Sequence, residues 1–381
     1  MTPISTNKGI LRREFLKGLG ALTTLPLISA CDLKINSTDN EYWLSAAGGN
    51  NENFSLSWLQ PNSNTNYLLT DFRGHGLAKH PIKPHLVFMF SRRPGNEGVM
   101  INLKTKTIEH RFTSPPHLFM EGHGCFSHDG KYLFCTESNR HTNQGIITVR
   151  ETDSFKIIRE ISSGGIGPHE IQTISKQTVI AVANGGLIKD KKGNTINTDT
   201  MQSNVTLIDY LSDRIISTHR TESPQSSLRH IDISDDGIIA VAMQQQDYNS
   251  ESITSLTQLI KKDGSSTSLN APKELVKKLN GYVGSVRINN RYRTAAFTSP
   301  RGDIALFWNI DSDAFLGAQY FHNVCGLTVT NDEEYFVLSN SAGKIRQIKS
   351  STLLENTKLR QHLPTHQWDN HMITAAVRNH E

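Results

Sequence analysis

The sequence predicts an all-β fold: a seven-bladed β-propeller of four-stranded antiparallel blades. Three observations carry this. A strand–turn–strand unit recurs, its clearest copy running Gly122-His123-Gly124-Cys125-Phe126, then Asp129-Gly130, then Tyr132-Leu133-Phe134-Cys135-Thr136-Glu137. Copies of its anchor fall at positions 75, 123, 169, 230, 284, 326 and 371, and successive intervals range from 42 residues (284 to 326) to 61 (169 to 230). That is the length of a four-stranded blade with variable loops. Helical patterning, in contrast, is confined to Pro272-Lys273-Glu274-Leu275-Val276-Lys277-Lys278-Leu279, with Pro in the first turn, late lysines and Gly281 just beyond.

In chain order, residues 1–30 read as an export signal. Leu11-Arg12-Arg13-Glu14-Phe15-Leu16-Lys17 looks like a twin-arginine motif, followed by an apolar run from Leu19 to Leu27. That run is too short for a good spanning helix of ~20 residues. Ile28-Ser29-Ala30-Cys31 looks like a lipobox. Resemblance to bacterial lipoproteins then implies cleavage before Cys31, its lipidation, and anchoring to the inner membrane from the periplasmic side. Residues 31–41 read as a polar tether, and residues 42–381 as one propeller domain. The signal holds four basic residues and one acid, leaving 40 − 4 = 36 Lys+Arg against 36 − 1 = 35 Asp+Glu. So balanced a charge gives no electrostatic argument for nucleic acid or an anionic membrane.

The first strands are Tyr42 to Ala47 and Phe54 to Leu59, ahead of the first anchor. The last anchor, His371, has too few residues after it for a whole blade. Both termini are therefore expected to build one blade between them, which leaves no open seam. Between anchors, Gly145 to Arg150 with Ile157 to Glu160, and Val205 to Asp209 with Ile215 to Thr218, read as further strand pairs. Leu187 to Gln202 and Gln244 to Ser268 read as polar insertions.

Function follows from where the anchors must lie. In a propeller the first strand of each blade lines the axis, and the second runs antiparallel to it. The starts of first strands and the ends of second strands therefore share a rim. The starts carry His75, His123, His169, His230, Cys325 and His371; the ends carry Arg92, Arg93, Glu137, Asn184, Gln244, Arg301 and Asn340. Imidazoles from several blades aimed at one channel suit a divalent transition metal, with Glu170 or Asp369 completing the site or orienting a ring. A Cys325 thiol would bias such a site towards softer ions. The same histidines also suit a plainer role, hydrogen-bonding neighbouring blades together. Arg92, Arg93 and Arg301 are candidates to clamp a carboxylate or phosphate. Glu137 is a candidate base or ligand, and Asn184-Gly185-Gly186 resembles an anion nest. Cys125 and Cys135 flank one turn; an oxidising compartment permits a disulfide, though direct cross-strand geometry strains it.

One ordered motif set runs through the chain: Arg-Gly-His-Gly (73–76), Ser-Arg-Arg-Pro-Gly (91–95), Gly-His-Gly (122–124), Gly-Ile-Gly-Pro-His-Glu (165–170), Ala-Asn-Gly-Gly (183–186), Asn-x-Asp-Thr-Met (197–201), Arg-His (229–230), Gly-Tyr-Val-Gly-Ser (281–285), Thr-Ser-Pro-Arg-Gly (298–302), Val-Cys-Gly (324–326) and Trp-Asp-Asn-His (368–371). Over roughly residues 42–372 it resembles a bacterial family of twin-arginine-exported, YVTN/WD40-like propellers, a domain of unknown function found beside imelysin-type iron-uptake proteins. The lipobox cysteine is less typical of that family. The resemblance implies a fold and a neighbourhood, iron uptake, rather than an activity.

The expectation is a periplasmic, monomeric propeller that binds iron or copper, or a metal-linked partner among iron-uptake proteins, at its axial rim. A metal-free interaction scaffold is the first alternative. An oxidoreductase or lactonase-like hydrolase using the same histidines is the second.

Overall fold

The computed structural model describes residues 41–48, 53–61, 63, 65–190, 192–223, 225–246 and 255–377. The segment expected to be an export signal, Cys31 and all but the last residue of the expected tether lie outside them. Seven antiparallel sheets of four strands each make up the domain. Six blades are continuous in sequence: residues 74–113, 118–166, 168–220, 226–268, 285–320 and 324–362. The first strands of successive blades touch one another in a closed ring around the axis.

The seventh blade joins the chain's two ends. Its innermost strand is Ile373–Ala376, and Glu41–Ala47, Phe54–Leu59 and Thr65–Thr70 lie outside it. Tyr42 stands opposite Ala375 and Trp43 opposite Thr374. The amide of Asp369 donates to Ala46 (3.0 Å), so the segment before this strand is tied to the N-terminal strand as well. The expected closure is present, with the first strand starting at Glu41.

Cores form between blades, because each sheet is apolar on both faces. Leu44 and Trp58 of the closing blade pack with Val87, Met89 and Val99 of the first. Phe297, Leu306 and Trp308 join the long cluster that runs through the third to fifth blades. The expected helix is Lys273–Lys278. Residues 244–268, expected as an insertion, instead supply the two outer strands of the fourth blade, Thr257–Ile260 and Ser266–Ser268. Ser266–Ser268 is a Ser/Thr edge strand with little apolar area, whereas Thr257–Ile260 buries Leu259 and Ile260 in the core but is too short to stand out in the polar stretch around it.

Cys125 and Cys135 are free thiols. Their strands pair Cys125 with Phe134 and Cys135 with Gly124. That one-residue offset sends the two side chains to opposite faces of the blade. Cys135 packs in the core towards the first blade and Cys125 in that towards the third.

Candidate metal centre

Five imidazoles meet on the axis. His75, His123, His169, His230 and His371 are each 8% exposed or less. Ring centroids of His371 lie 4.5 Å from His75, 4.6 Å from His123 and 4.5 Å from His230. His169 is 5.0 Å from His123 and 4.9 Å from His230.

The local device that brings them there is a β-bulge. The pairing of first and second strands slips between Gly74 and Leu77, Met120 and Gly124, Pro168 and Glu170, and Leu228 and His230. Each slip falls at or beside a histidine, and a bulge re-aims a side chain that regular pleating would send into the sheet. Close approach also requires glycine. A Cβ on Gly76 would lie 2.5 Å from the Gly122 carbonyl oxygen and 2.7 Å from His123 Nδ1.

Two carboxylates orient the rings. Asp369 Oδ1 lies 3.1 Å from His75 Nδ1, and Glu170 Oε2 lies 2.9 Å from His230 Nδ1. The amide of Ile231 also donates to Glu170 (3.1 Å), fixing that carboxylate. A carboxylate on one ring nitrogen leaves the other as a basic, directed metal ligand. Burial pushes the Asp369 carboxyl up, but its hydrogen bond with His75 and the neighbouring Arg92 hold it well below the usual range. Burial holds His123, His169, His230 and His371 well below the usual imidazole value, so they are neutral at pH 7, the form that binds metal.

Three ring nitrogens are buried with no hydrogen-bond partner: His123 Nε2, His169 Nδ1 and His371 Nε2. A buried polar atom left unpaired costs about 1–3 kcal/mol. Two triads, His75–His123–His371 and His123–His169–His230, each bring three ligand atoms within 4.8 Å of one another. His123 belongs to both, so the five rings form one group.

Other expected residues stand elsewhere. Cys325 occupies the matching anchor of the sixth blade, but the slip between Val324 and Leu327 turns its thiol to the carbonyls of Ser339 (3.7 Å) and Trp368 (3.6 Å). Glu137 is fully buried beneath the rim, accepting from Ser114 (2.6 Å) and paired with Arg150 at 3.5 Å. Its carboxyl is raised by burial, against the pull of Ser114 and Arg150. Asn184 Nδ2 donates to Ser163 O and Asn204 Oδ1, both at 2.9 Å, and so ties two blades together. Arg92 and Arg93 do line the mouth above the imidazoles. Arg301 lies over the Tyr282 ring, 5.0 Å from its centroid.

This burial and pairing lead to the expectation that Glu137 acts as a structural counter-charge to Arg150. Glu137→Ala strips the buried Arg150 of its counter-charge and should cost about 3 kcal/mol of stability. A melting curve checks this; a variant as stable as the parent would return Glu137 to the functional candidates.

Arg229, Tyr282 and Asn370 reach the same mouth although nothing marked them as site residues. Each is adjacent to, or within, a motif that carries an anchor: Arg-His, Gly-Tyr-Val-Gly-Ser and Trp-Asp-Asn-His. Arg229 is 9% exposed and donates twice to Gln244 Oε1, at 2.8 and 3.1 Å.

Fold and site define a class: a seven-bladed propeller with a buried imidazole group at one mouth of its axis. The chain belongs to the family described as "Protein of unknown function (DUF1513)", whose model matches residues 69–375. No curated protein sequence matches it. Among solved structures, Kuenenia stuttgartiensis hydrazine synthase is similar in fold, at TM-score 0.60 and 14% identity over 78% of this chain and 90% of that one. The U3-55K structure is similar at TM-score 0.57 and 9% identity, over 75% and 80% of the two chains. At such identities the likeness is one of fold.

Proposed function

We propose that the protein binds a first-row transition metal ion, copper or iron, through the axial imidazoles and serves periplasmic metal handling. The observation that carries this is the trio of unpaired ring nitrogens among neutral, carboxylate-oriented histidines. Structural staples would have their nitrogens bonded to backbone or side chains. Here His123, His169 and His371 each keep one nitrogen buried and free. An all-imidazole donor set without thiolate suits copper, iron, zinc or nickel, and copper(II) heads the affinity order. The twin-arginine motif at 11–17 supports export, and Ile28-Ser29-Ala30-Cys31 supports a lipid anchor. No helix among the described residues is long and apolar enough to cross a membrane. Iron-uptake proteins of the same compartment are the proposed partners.

Elemental analysis after loading with each ion and desalting is the test. Stoichiometric copper or iron is expected. It should be lost in the His123→Ala/His169→Ala double variant, with the fold checked by circular dichroism. Failure to retain any first-row ion would overturn the proposal, and a partner co-purifying with the metal-free protein would favour a docking scaffold.

A further inference from the structure

The mouth above the imidazoles carries more positive charge than its own carboxylates balance. Asp369 Oδ2 serves Arg73 at 3.4 Å and Arg92 at 3.5 Å, while its other oxygen serves His75. Glu121 accepts from Arg93 (3.0 Å) and from Ser138 (2.6 Å). Arg229 feels Glu121 only at a distance and pairs with neither acid. Its guanidinium meets only the neutral Gln244 carbonyl, and it makes no ion pair among the described residues. Arg301 adds a fifth cation over the Tyr282 ring. Five guanidiniums thus stand around three carboxylates, Asp369, Glu121 and the Glu170 that holds His230.

A buried cation without a counter-anion is costly unless something supplies one. The mouth has room for it: a pocket of about 230 Å³ is lined by Arg92, Arg93 and Arg229 together with the imidazoles of His75, His169 and His230. Asn370 Nδ2 donates to the Tyr282 hydroxyl oxygen (3.1 Å), which leaves the phenolic O–H free to donate into the same space. The pocket is smaller than the ~300–1,000 Å³ of drug-sized sites, so its occupant is a small molecule.

We propose that this mouth binds a small multivalent oxyanion, with carboxylate or phosphate groups held by Arg229, Arg92 and Arg93 and by the Tyr282 hydroxyl. Guanidinium forks match the two oxygens of a carboxylate or phosphate, and separated arginines favour a ligand with more than one anionic group. The arginines hold the anion whether or not metal is bound. If the metal reading also holds, an anionic chelate would deliver its ion directly against the imidazoles.

Calorimetric titration of citrate, and separately of inorganic phosphate, into the purified, metal-stripped protein tests this. Saturable binding that weakens with added salt is expected. Arg229→Gln and Arg92→Gln should each lower affinity about tenfold or more, since a charge-assisted hydrogen bond is lost. Arg92 is half-exposed, so its variant keeps the result interpretable if the buried one misfolds. Tighter binding of citrate would assign the pocket to polycarboxylates, and tighter binding of phosphate to phosphoryl groups. No binding of either at millimolar concentration would overturn the proposal, as would binding indifferent to both substitutions. Because the titration uses metal-stripped protein, it fails or succeeds separately from metal loading.

Discussion

Deleting residues 360–381 is expected to unfold the whole propeller. These residues supply the innermost strand of the closing blade, Ile373–Ala376, which alone joins the N-terminal strand Glu41–Ala47 to the axis. They also carry Trp368, Met372 and Val377, all 4% exposed or less. Trp368 and Met372 fill a cluster with Trp43 and Leu59 of the closing blade and Val337 and Ile345 of the sixth. Removing a buried Trp and a buried Met costs about 3–5 and 2–5 kcal/mol. Their sum approaches the ~5–15 kcal/mol by which an ordinary domain is stable. The open seam adds unpaired edges that invite aggregation.

Circular dichroism and thermal melting check the expectation. The truncated chain should lack a cooperative transition, while Trp368→Ala should keep one at a lower temperature. A truncated protein that melts like its parent would rule out the shared blade. The same deletion removes Asp369 and His371, so closure and site are coupled: the segment that carries His371 is tied to the N-terminal strand at Asp369, Trp368 and Gln367.

The repeat was legible because each blade opens on a residue pattern that propeller geometry demands: an anchor, glycine near the axis, and a second strand of alternating apolar residues. Blade number, the shared blade and the axial meeting of five histidines all follow from that spacing. The bulges were not legible. They depend on how one strand's extra residue is accommodated against its partner, and a one-residue slip changes which face a side chain takes. For His75, His123, His169 and His230 the slip aims a ring at the axis, whereas at Cys325 it aims a thiol at backbone carbonyls. Glu137 and Asn184 were placed at the rim by the rule that second strands end there. Each is drawn into the sheet by a partner distant in sequence, Arg150 and Ser163 respectively. Arg229 is masked in the sequence by its neighbour His230, which accounts for the Arg-His motif by itself. Only the three-dimensional arrangement around it shows that no carboxylate among the described residues forms an ion pair with it.

The second large effect is alkaline unfolding driven by buried thiols. Burial pushes both Cys135 and Cys325 up to about 12 from an ordinary 9.0. Arg150 opposes this rise at Cys135, and the Gly326 amide opposes it at Cys325. In the unfolded chain both thiols ionise near their ordinary value, while the folded protein holds their protons. The folded state is thus fully favoured by these groups below pH 9, and that advantage is lost as pH rises towards 12. Holding one proton across one pH step is worth about 1.36 kcal/mol, so two thiols should remove about 5 kcal/mol by pH ~11. Cys125, Tyr210 and Tyr282, also raised by burial, act in the same direction, and Lys79 and Arg229, lowered by burial, oppose them. Melting temperature should therefore hold steady to about pH 8.5 and fall steeply above it. Cys135→Ala and Cys325→Ala each leave a small cavity, lowering stability at neutral pH, yet each should flatten the alkaline slope. Unfolding that shows no steepening up to pH ~11, or a slope unchanged in both variants, would mean that Cys135 and Cys325 are not the groups responsible.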